Sequence, residues 1–332
     1  MVKNKTILGQ IFIKDKNSTL SDTVQVTQAA KGIYIGDIIF ETEQDLIDFQ
    51  TAGYTKVRGN VIVSGGEITT LQKLDNLLTE INGSLRLECS TLTTLDGLYG
   101  LKTITDSLII KDGDMTSFEG LRNLGTIGGN FKVIAESSYS YYYYSLNSLS
   151  SFKGLSGLKS IGGDFEVNAK SSSSSSSSSS LKSLASFEGL ESLETIGGNF
   201  RVIAESSYSL NSLSSFKGLS GLKSIGGDFE VNAKYSSSLK SLASFEGLES
   251  LTNIGGGKLT INYCSSLNNI DALKNIESLN DISITTCPKL YDFCVLQNVV
   301  QNMSGTFYLN NNGYNPTKYQ LLNGECSQIP QE

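Results

Sequence analysis

The sequence contains no histidine, no tryptophan and only three prolines. Without histidine there is no His-dependent triad, no His-ligated zinc and no imidazole base. Long apolar runs are also missing: none approaches the roughly 18–20 residues that span a bilayer. Positive charge is outnumbered, 26 basic against 33 acidic residues, a net −7 that argues against nucleic acid as a partner. Residues 1–10 carry positive charge but no hydrophobic stretch, so they do not read as a secretory leader. The chain is therefore either intracellular or a mature region whose leader was removed.

Cysteine is scarce and odd in number, five residues with no C-x-x-C spacing. Cys89 stands alone. Cys264 and Cys287 occupy matching contexts, and Cys294 and Cys326 bracket the C-terminal segment. The bland expectation is small buried residues. Cys294 and Cys326 are the candidate disulfide, which would staple a terminal cap and leans toward an extracellular setting.

What is abundant is serine, 49 residues, and glycine, 33, on a chain that is 39% hydrophobic. That hydrophobic content supports a core and excludes global disorder. One pattern recurs from about Val57 to about Leu290. Each unit opens at Ile81, Ile104, Ile127, Ile161, Ile196, Ile225 or Ile254, often followed by Gly-Gly. A short alternating stretch follows, such as Phe131-Lys132-Val133 or Phe200-Arg201-Val202, which reads as a strand. A variable loop and Leu-x-x-Leu-x-x-Phe-x-Gly-Leu-x-x-Leu complete the unit. The beat of three is not helical and points to tight turns. Units of this size are expected to be solenoid coils, about nine of them, stacked about 4.8 Å apart into a rod on the order of 40 Å long. The absence of proline from nearly all of the repeat region agrees with an uninterrupted parallel sheet.

Three charged columns alternate in sign under this stacking. They are Lys132-Glu166-Arg201-Glu230, Glu136-Lys170-Glu205-Lys234 and Glu119-Lys153-Glu188-Lys217-Glu246. They are expected to form ion-pair ladders that fix the register between coils. Residues 145–170 and 209–234 are identical over 26 positions, which implies recent tandem duplication of a two-coil unit or deliberate engineering. Length differs only after the strand, where Tyr139, Tyr141, Tyr142, Tyr143 and Tyr144 or the run 171–180 are inserted. That corner is expected to face solvent. Its loops are either products of neutral slippage or a Tyr/Ser-rich recognition fringe.

Three domains result: a lead-in and cap over 1–56, the solenoid over 57–290 and a C-terminal cap over 291–332. Thr42 should cap a short helix over 43–50 that covers the open core with Leu46, Ile47 and Phe49. A second helix is expected over 291–302, a strand over 306–309 and a last helix over 316–322. Asp112-Gly113-Asp114 lacks the ligand spacing of a calcium loop. Ile-Gly-Gly-Asn and Ile-Gly-Gly-Asp lack the Lys-Ser/Thr of a phosphate loop and read as corners. No catalytic constellation, metal site or cofactor is implied.

The run Leu-x-Ser-Leu-x-Ser-Phe-x-Gly-Leu-x-x-Leu-x-x-Ile-Gly-Gly-x-Phe-x-Val, at 146–167 and 181–202, resembles the receptor L-domain-like solenoids. These are right-handed parallel β-helical relatives of leucine-rich repeats. The segments 40–61 and 291–326 resemble the caps of secreted or lipid-anchored bacterial versions of the Bacteroidetes type. The resemblance implies a mainly β solenoid at a cell surface or outside the cell, binding a glycan or protein and performing no reaction. In lipid-anchored members it also implies peripheral membrane association through a segment absent here. The candidate ligand-binding residues are Lys132, Arg201, Asn168 and Asn232 on an exposed strand face. The candidate fringe comprises Tyr139, Tyr141, Tyr142, Tyr143, Tyr144, Tyr208 and Tyr235. The competing expectation is a ligand-free spacer or surface coat.

Overall fold

The computed structural model describes residues 32–137, 146–171, 180–235 and 237–328. Among these, the strands form a nine-stranded and an eleven-stranded sheet, both wholly parallel. As far as Lys258–Asn262 the chain alternates between them, one strand in the short-stranded sheet and the next in the long-stranded one, and the last two strands, Asp281–Thr285 and Phe307–Asn310, both join the long-stranded sheet. The protein is thus a mainly β parallel solenoid.

Each coil is built from three local rules. The opening Ile, as in Thr126–Ile127 and Thr195–Ile196, turns inward and stacks on its equivalent, Ile127 on Ile161 on Ile196 on Ile225 on Ile254. The following strand buries alternate residues, as in Phe200–Ala204 with its inward Phe200, Val202 and Ala204. The Leu-x-x-Leu segment closes tight turns, for instance Leu158 N–H to the Leu155 carbonyl at 2.9 Å, which explains the beat of three.

Two phenylalanine columns fill the centre. One runs Phe118, Phe152, Phe187, Phe216, Phe245 with centroids 4.9–5.5 Å apart. The other runs Phe131, Phe165, Phe200, Phe229 at 5.1–5.5 Å. All of these rings are fully buried, and edge contacts join the columns, such as Phe165–Phe187 at 6.1 Å.

A polar ladder parallels them at the corner between the sheets. Each side-chain oxygen accepts the backbone N–H of its equivalent one coil on. Asn130 Oδ1 accepts from Asp164, Asp164 Oδ1 from Asn199 and Asn199 Oδ1 from Asp228, each at 2.8 Å. Asp37 to Asn60 at 2.7 Å and Asn60 to Ser84 at 2.9 Å extend it toward the N-terminus. The ladder satisfies donors that the corner removes from the sheets. Burial pushes the Asp164 carboxyl up, but the Asn199 hydrogen bonds and the Arg201 charge outweigh it and hold the group below its ordinary value. A lowered folded value makes the contribution present above the unfolded pKa of about 3.9 and lost as pH falls through the folded value. Asp164→Asn keeps the ladder geometry that Asn130 and Asn199 already use. It should therefore flatten the decline in melting temperature on acidification below about pH 4. A decline as steep as in the wild type would show that Asp164 is not a source of acid sensitivity.

The charge columns are realised unevenly. The first is in register, Lys132 opposite Glu166 opposite Arg201 opposite Glu230. Lys132–Glu166 closes at 3.2 Å and Arg201–Glu230 at 3.7 Å. No Glu166–Arg201 ion pair forms, and Arg201 reaches Asp164 at 3.1 Å. In the second column Glu136 lies opposite Lys170 and pairs diagonally with Lys111 at 3.4 Å. In the third, running from Glu119 to Glu246, no ion pair closes. Those residues lie in turns, or at Glu119 in a 3-10 turn, where side chains are not held parallel as they are along a strand.

The corner after the strand corrects a second expectation. Its serines are not all at permissive solvent positions: Ser180, Ser206, Ser209 and Ser238 are buried. Ser209 Oγ accepts from Ser180 N–H at 3.0 Å and bonds Ser206 Oγ, while Ser238 Oγ donates to the Ser206 carbonyl at 2.7 Å. Here the chain re-enters the stack and leaves the sheet ladder, so small hydroxyls satisfy its backbone groups. The next residue inward is a leucine in left-handed conformation, Leu181, Leu210 or Leu239, at φ 50–53°. In shorter coils the same Leu-x-x-Leu slot reads Cys89-x-x-Leu92, Cys264-x-x-Leu267 and Cys287-x-x-Leu290. All three cysteines are buried and reduced. The inserted tyrosines 139 and 141–144, most of the 171–180 run and the residues before 32 lie outside the described residues.

At the N-terminal end, helix α1 (Glu43–Thr51) has the Thr42 capping box and buries Leu46 and Phe49, with Ile47 only half-buried. The expected helix over 291–302 is shorter: a 3-10 turn at Cys294–Leu296 leads into α2 (Gln297–Gln301). Asp292 is instead held in a bridge to Ser327, and Phe293, whose N–H bonds the Cys326 carbonyl, caps the 3-10 turn. A last strand, Phe307–Asn310, and α3 (Lys318–Leu322) complete this end. The Cys294–Cys326 disulfide ties it together, with Cα atoms 4.8 Å apart.

Candidate recognition face

The long-stranded sheet turns one row of side chains outward at each alternate position. The first outward row is Ile39, Ile62, Arg86, Ile109, Lys132, Glu166, Arg201, Glu230, Thr260, Ser283 and Tyr308. Beside it, over the second half, run Ile134, Asn168, Ile203, Asn232, Asn262, Thr285 and Asn310. Three zones result: aliphatic and basic at the N-terminal end, ion-paired in the middle, and uncharged but polar at the C-terminal end.

The middle zone holds the strand residues expected from the sequence. Lys132 and Arg201 are half-exposed and spend their charge on Glu166, Asp164 and Glu230. Asn232 is half-buried and donates to Glu230 at 3.1 Å. Asn168 was expected on an exposed face and is instead 3% exposed, beside Glu166 at 8%. Asn168 Nδ2 donates to Glu166 at 2.9 Å, so its amide is engaged with its own strand. This zone is internally neutralised rather than open.

Of the fringe, the described residues Tyr208 and Tyr235 sit at the neighbouring corner. Tyr208 is 50% exposed with Lys240 Nζ 5.2 Å from its ring centroid, and Tyr235 is half-buried with Lys234 Nζ at 5.7 Å. Both are cation–π contacts.

The C-terminal zone was not anticipated. Thr260, Asn262, Ser283 and Thr285 are half-exposed, and Tyr308 and Asn310 are exposed. Thr285 Oγ1 donates to Asn262 at 2.8 Å and Asn310 Nδ2 to Tyr308 Oη at 3.1 Å, which orients these groups. Tyr263, 42% exposed, flanks them at the corner. The signal was in the sequence as Thr-Ile-Asn, Ser-Ile-Thr and Tyr-Leu-Asn, three alternating triplets with uncharged polar outward residues.

On the turn edge, a shallow open depression of about 410 Å³ is lined by Glu246, Glu249, Asp271 and Lys274 among others. Its carboxylates serve the backbone and neighbours: Glu249 accepts from Gly247 N–H at 3.0 Å, and Asp271 from Asn269 at 2.8 Å. Among the described residues no group of three or more potential ligands is placed to hold a metal ion. No described helix is long and apolar enough to cross a membrane. The chain matches no family model and no curated protein.

Proposed function

We propose that this solenoid is a cell-surface or extracellular recognition module that binds a glycan or protein ligand and carries out no reaction. The observation that supports it best is the uncharged zone of the long-stranded sheet. Hydroxyls and amides from three successive strands stand beside exposed Tyr308 and Tyr263. Oriented hydroxyls and amides suit a sugar's hydroxyl groups, and tyrosine faces supply amphipathic contact area at low entropy cost. The Cys294–Cys326 disulfide fits an oxidising compartment, and the resemblance to receptor L-domain-like solenoids points the same way. The corner tyrosines Tyr208 and Tyr235 extend the same edge.

The alternative is a ligand-free spacer or surface coat. The middle zone favours it, because its charges are already paired with one another. The two readings separate on a panel of glycans, matrix proteins and bacterial surfaces. Recognition predicts saturable binding that Tyr308→Ala weakens about tenfold, roughly 1.4 kcal/mol, at an unchanged melting temperature. No saturable binding across the panel would leave the spacer as the better account. Loss through Lys132→Ala, with Tyr308→Ala silent, would move the site to the middle zone.

A further inference from the structure

Strands Lys258–Asn262 and Asp281–Thr285 pair in register, with Asn262 opposite Thr285. Each is followed by a left-handed residue, Tyr263 at φ 59° and Thr286 at φ 56°. Next comes a cysteine, Cys264 in one coil and Cys287 in the other. Equal backbone turns from paired strands bring the two to the same point of adjacent coils. Stacked Cα atoms there lie about 4.8 Å apart, inside the range of roughly 4.4–6.8 Å that a disulfide spans. Both thiols are fully buried, and each lies near the carbonyl two residues back, at 3.6 Å in Cys264 and 3.5 Å in Cys287. The neighbouring Cys287 thiol, together with burial, pushes the Cys264 thiol well up, while Cys264 in turn favours the thiolate at Cys287. Cys89 has no such partner: its thiol lies 2.8 Å from the Gly65 carbonyl and 3.1 Å from that of Ile68.

We propose that Cys264 and Cys287 are the site of a second, inter-coil disulfide, formed by exchange with a low-molecular-weight disulfide such as oxidised glutathione. The Cys287 thiolate attacks one sulfur of the oxidant, releasing one small thiol and leaving a mixed disulfide. The Cys264 sulfur then attacks the Cys287 sulfur and releases the second small thiol. Two protein S–H bonds are lost and one protein S–S bond forms. The S–S bond of the oxidant is reduced to two thiols, which carry the two protons. Burial sets the timing: the oxidant reaches the pair while the C-terminal coils are assembling or locally open. The link joins the two coils that carry Thr260, Asn262, Ser283 and Thr285, but it does not depend on those residues binding anything.

The test refolds the full chain from denaturant in a glutathione redox buffer, quenches with acid, unfolds it and alkylates free thiols with iodoacetamide. Peptide mass spectrometry should show alkylation at Cys89 alone. A Cys264–Cys287 linked peptide, lost on reduction, should accompany it. Alkylation of Cys264 and Cys287 in the correctly refolded chain overturns the proposal. So does a glutathione adduct on either residue without the linked peptide. Cys264→Ser should leave Cys287 free to alkylate. If that variant fails to refold, the wild-type peptide map still decides.

Discussion

Gly189→Ala is expected to abolish stable stacking of the central coils. Gly189 lies at φ +104°, in the left-handed half of backbone space that a side chain disfavours. A Cβ there would lie against the carbonyl oxygen and carbon of Phe152 in the preceding coil, far inside the 3.0 Å that real Cβ atoms keep. The obstacle is backbone, so no rotamer change relieves it. Relief requires the coils to separate, which breaks the ladder of backbone bonds and opens both phenylalanine columns. Gly154, Gly218 and Gly247 repeat the geometry at φ 104–105°. The expected cost is about 4 kcal/mol or more, at the extreme of single substitutions. Gly125→Ala is the matched control: its nearest neighbour is the Lys102 carbonyl at 3.8 Å, and it should change stability little. Equal urea midpoints for the two variants would show that the coils are not in this close contact.

This glycine column shows where sequence reasoning reaches and where it stops. The recurrence of Gly after Phe-x was legible. The reason for it, a carbonyl of the previous coil, is a contact between residues 31 to 37 apart and cannot be read locally. The solenoid itself was legible because every coil repeats the same inward residues, so period alone gives the stack. Register was legible from Lys132, Glu166, Arg201 and Glu230, since charge sign alternates only when coils align. The strand face was harder. Asn168 and Asn232 occupy identical sequence contexts, yet one is 3% exposed and the other half-buried. Position in the stack separates them, and the 26-residue identity hides it. Serine misled in the opposite direction. A serine-rich stretch reads as solvated loop, but Ser206, Ser209 and Ser238 bond re-entering backbone inside the corner.

The candidate face follows from the same physics. Along the middle strands, outward charges satisfy each other and specify neighbouring coils, which leaves little unspent interaction for a ligand. Toward the C-terminal end charge in register is confined to the start of the strands, where Lys258 lies opposite Asp281. Thr260, Ser283 and Tyr308 succeed one another without an ionised group, and inward Leu259, Ile282 and Phe307 hold the stack. On the proposed recognition function, the face divides by task, with cohesion in the middle and contact chemistry at the end.

The second large effect concerns the aromatic core. Phe187→Ala should cost about 3–5 kcal/mol, because the cavity it leaves is walled on four sides by other rings. Those rings are Phe152 at 5.3 Å and Phe216 at 5.5 Å along its own column, and Phe165 and Phe200 at 6.1 and 5.8 Å across it. All are fully buried and fixed by strand register, so the site cannot collapse without shifting backbone. Phe245→Ala should cost less. Phe245 ends its column, touching Phe216 at 4.9 Å and Phe229 at 5.7 Å, and the next coil offers aliphatic Ile270. The neighbouring column ends the same way, with Phe229 opposite Leu259, so an aliphatic side chain is compatible with the slot. Phe187→Leu should accordingly recover most of the loss. It would forgo the ring–ring contribution of about 0.5–1.5 kcal/mol and some volume. Urea midpoints at constant slope measure all three variants. Equal losses at Phe187 and Phe245 would show that the columns do not act as stacks. In that case the nine rings would be nine separate hydrophobic contacts.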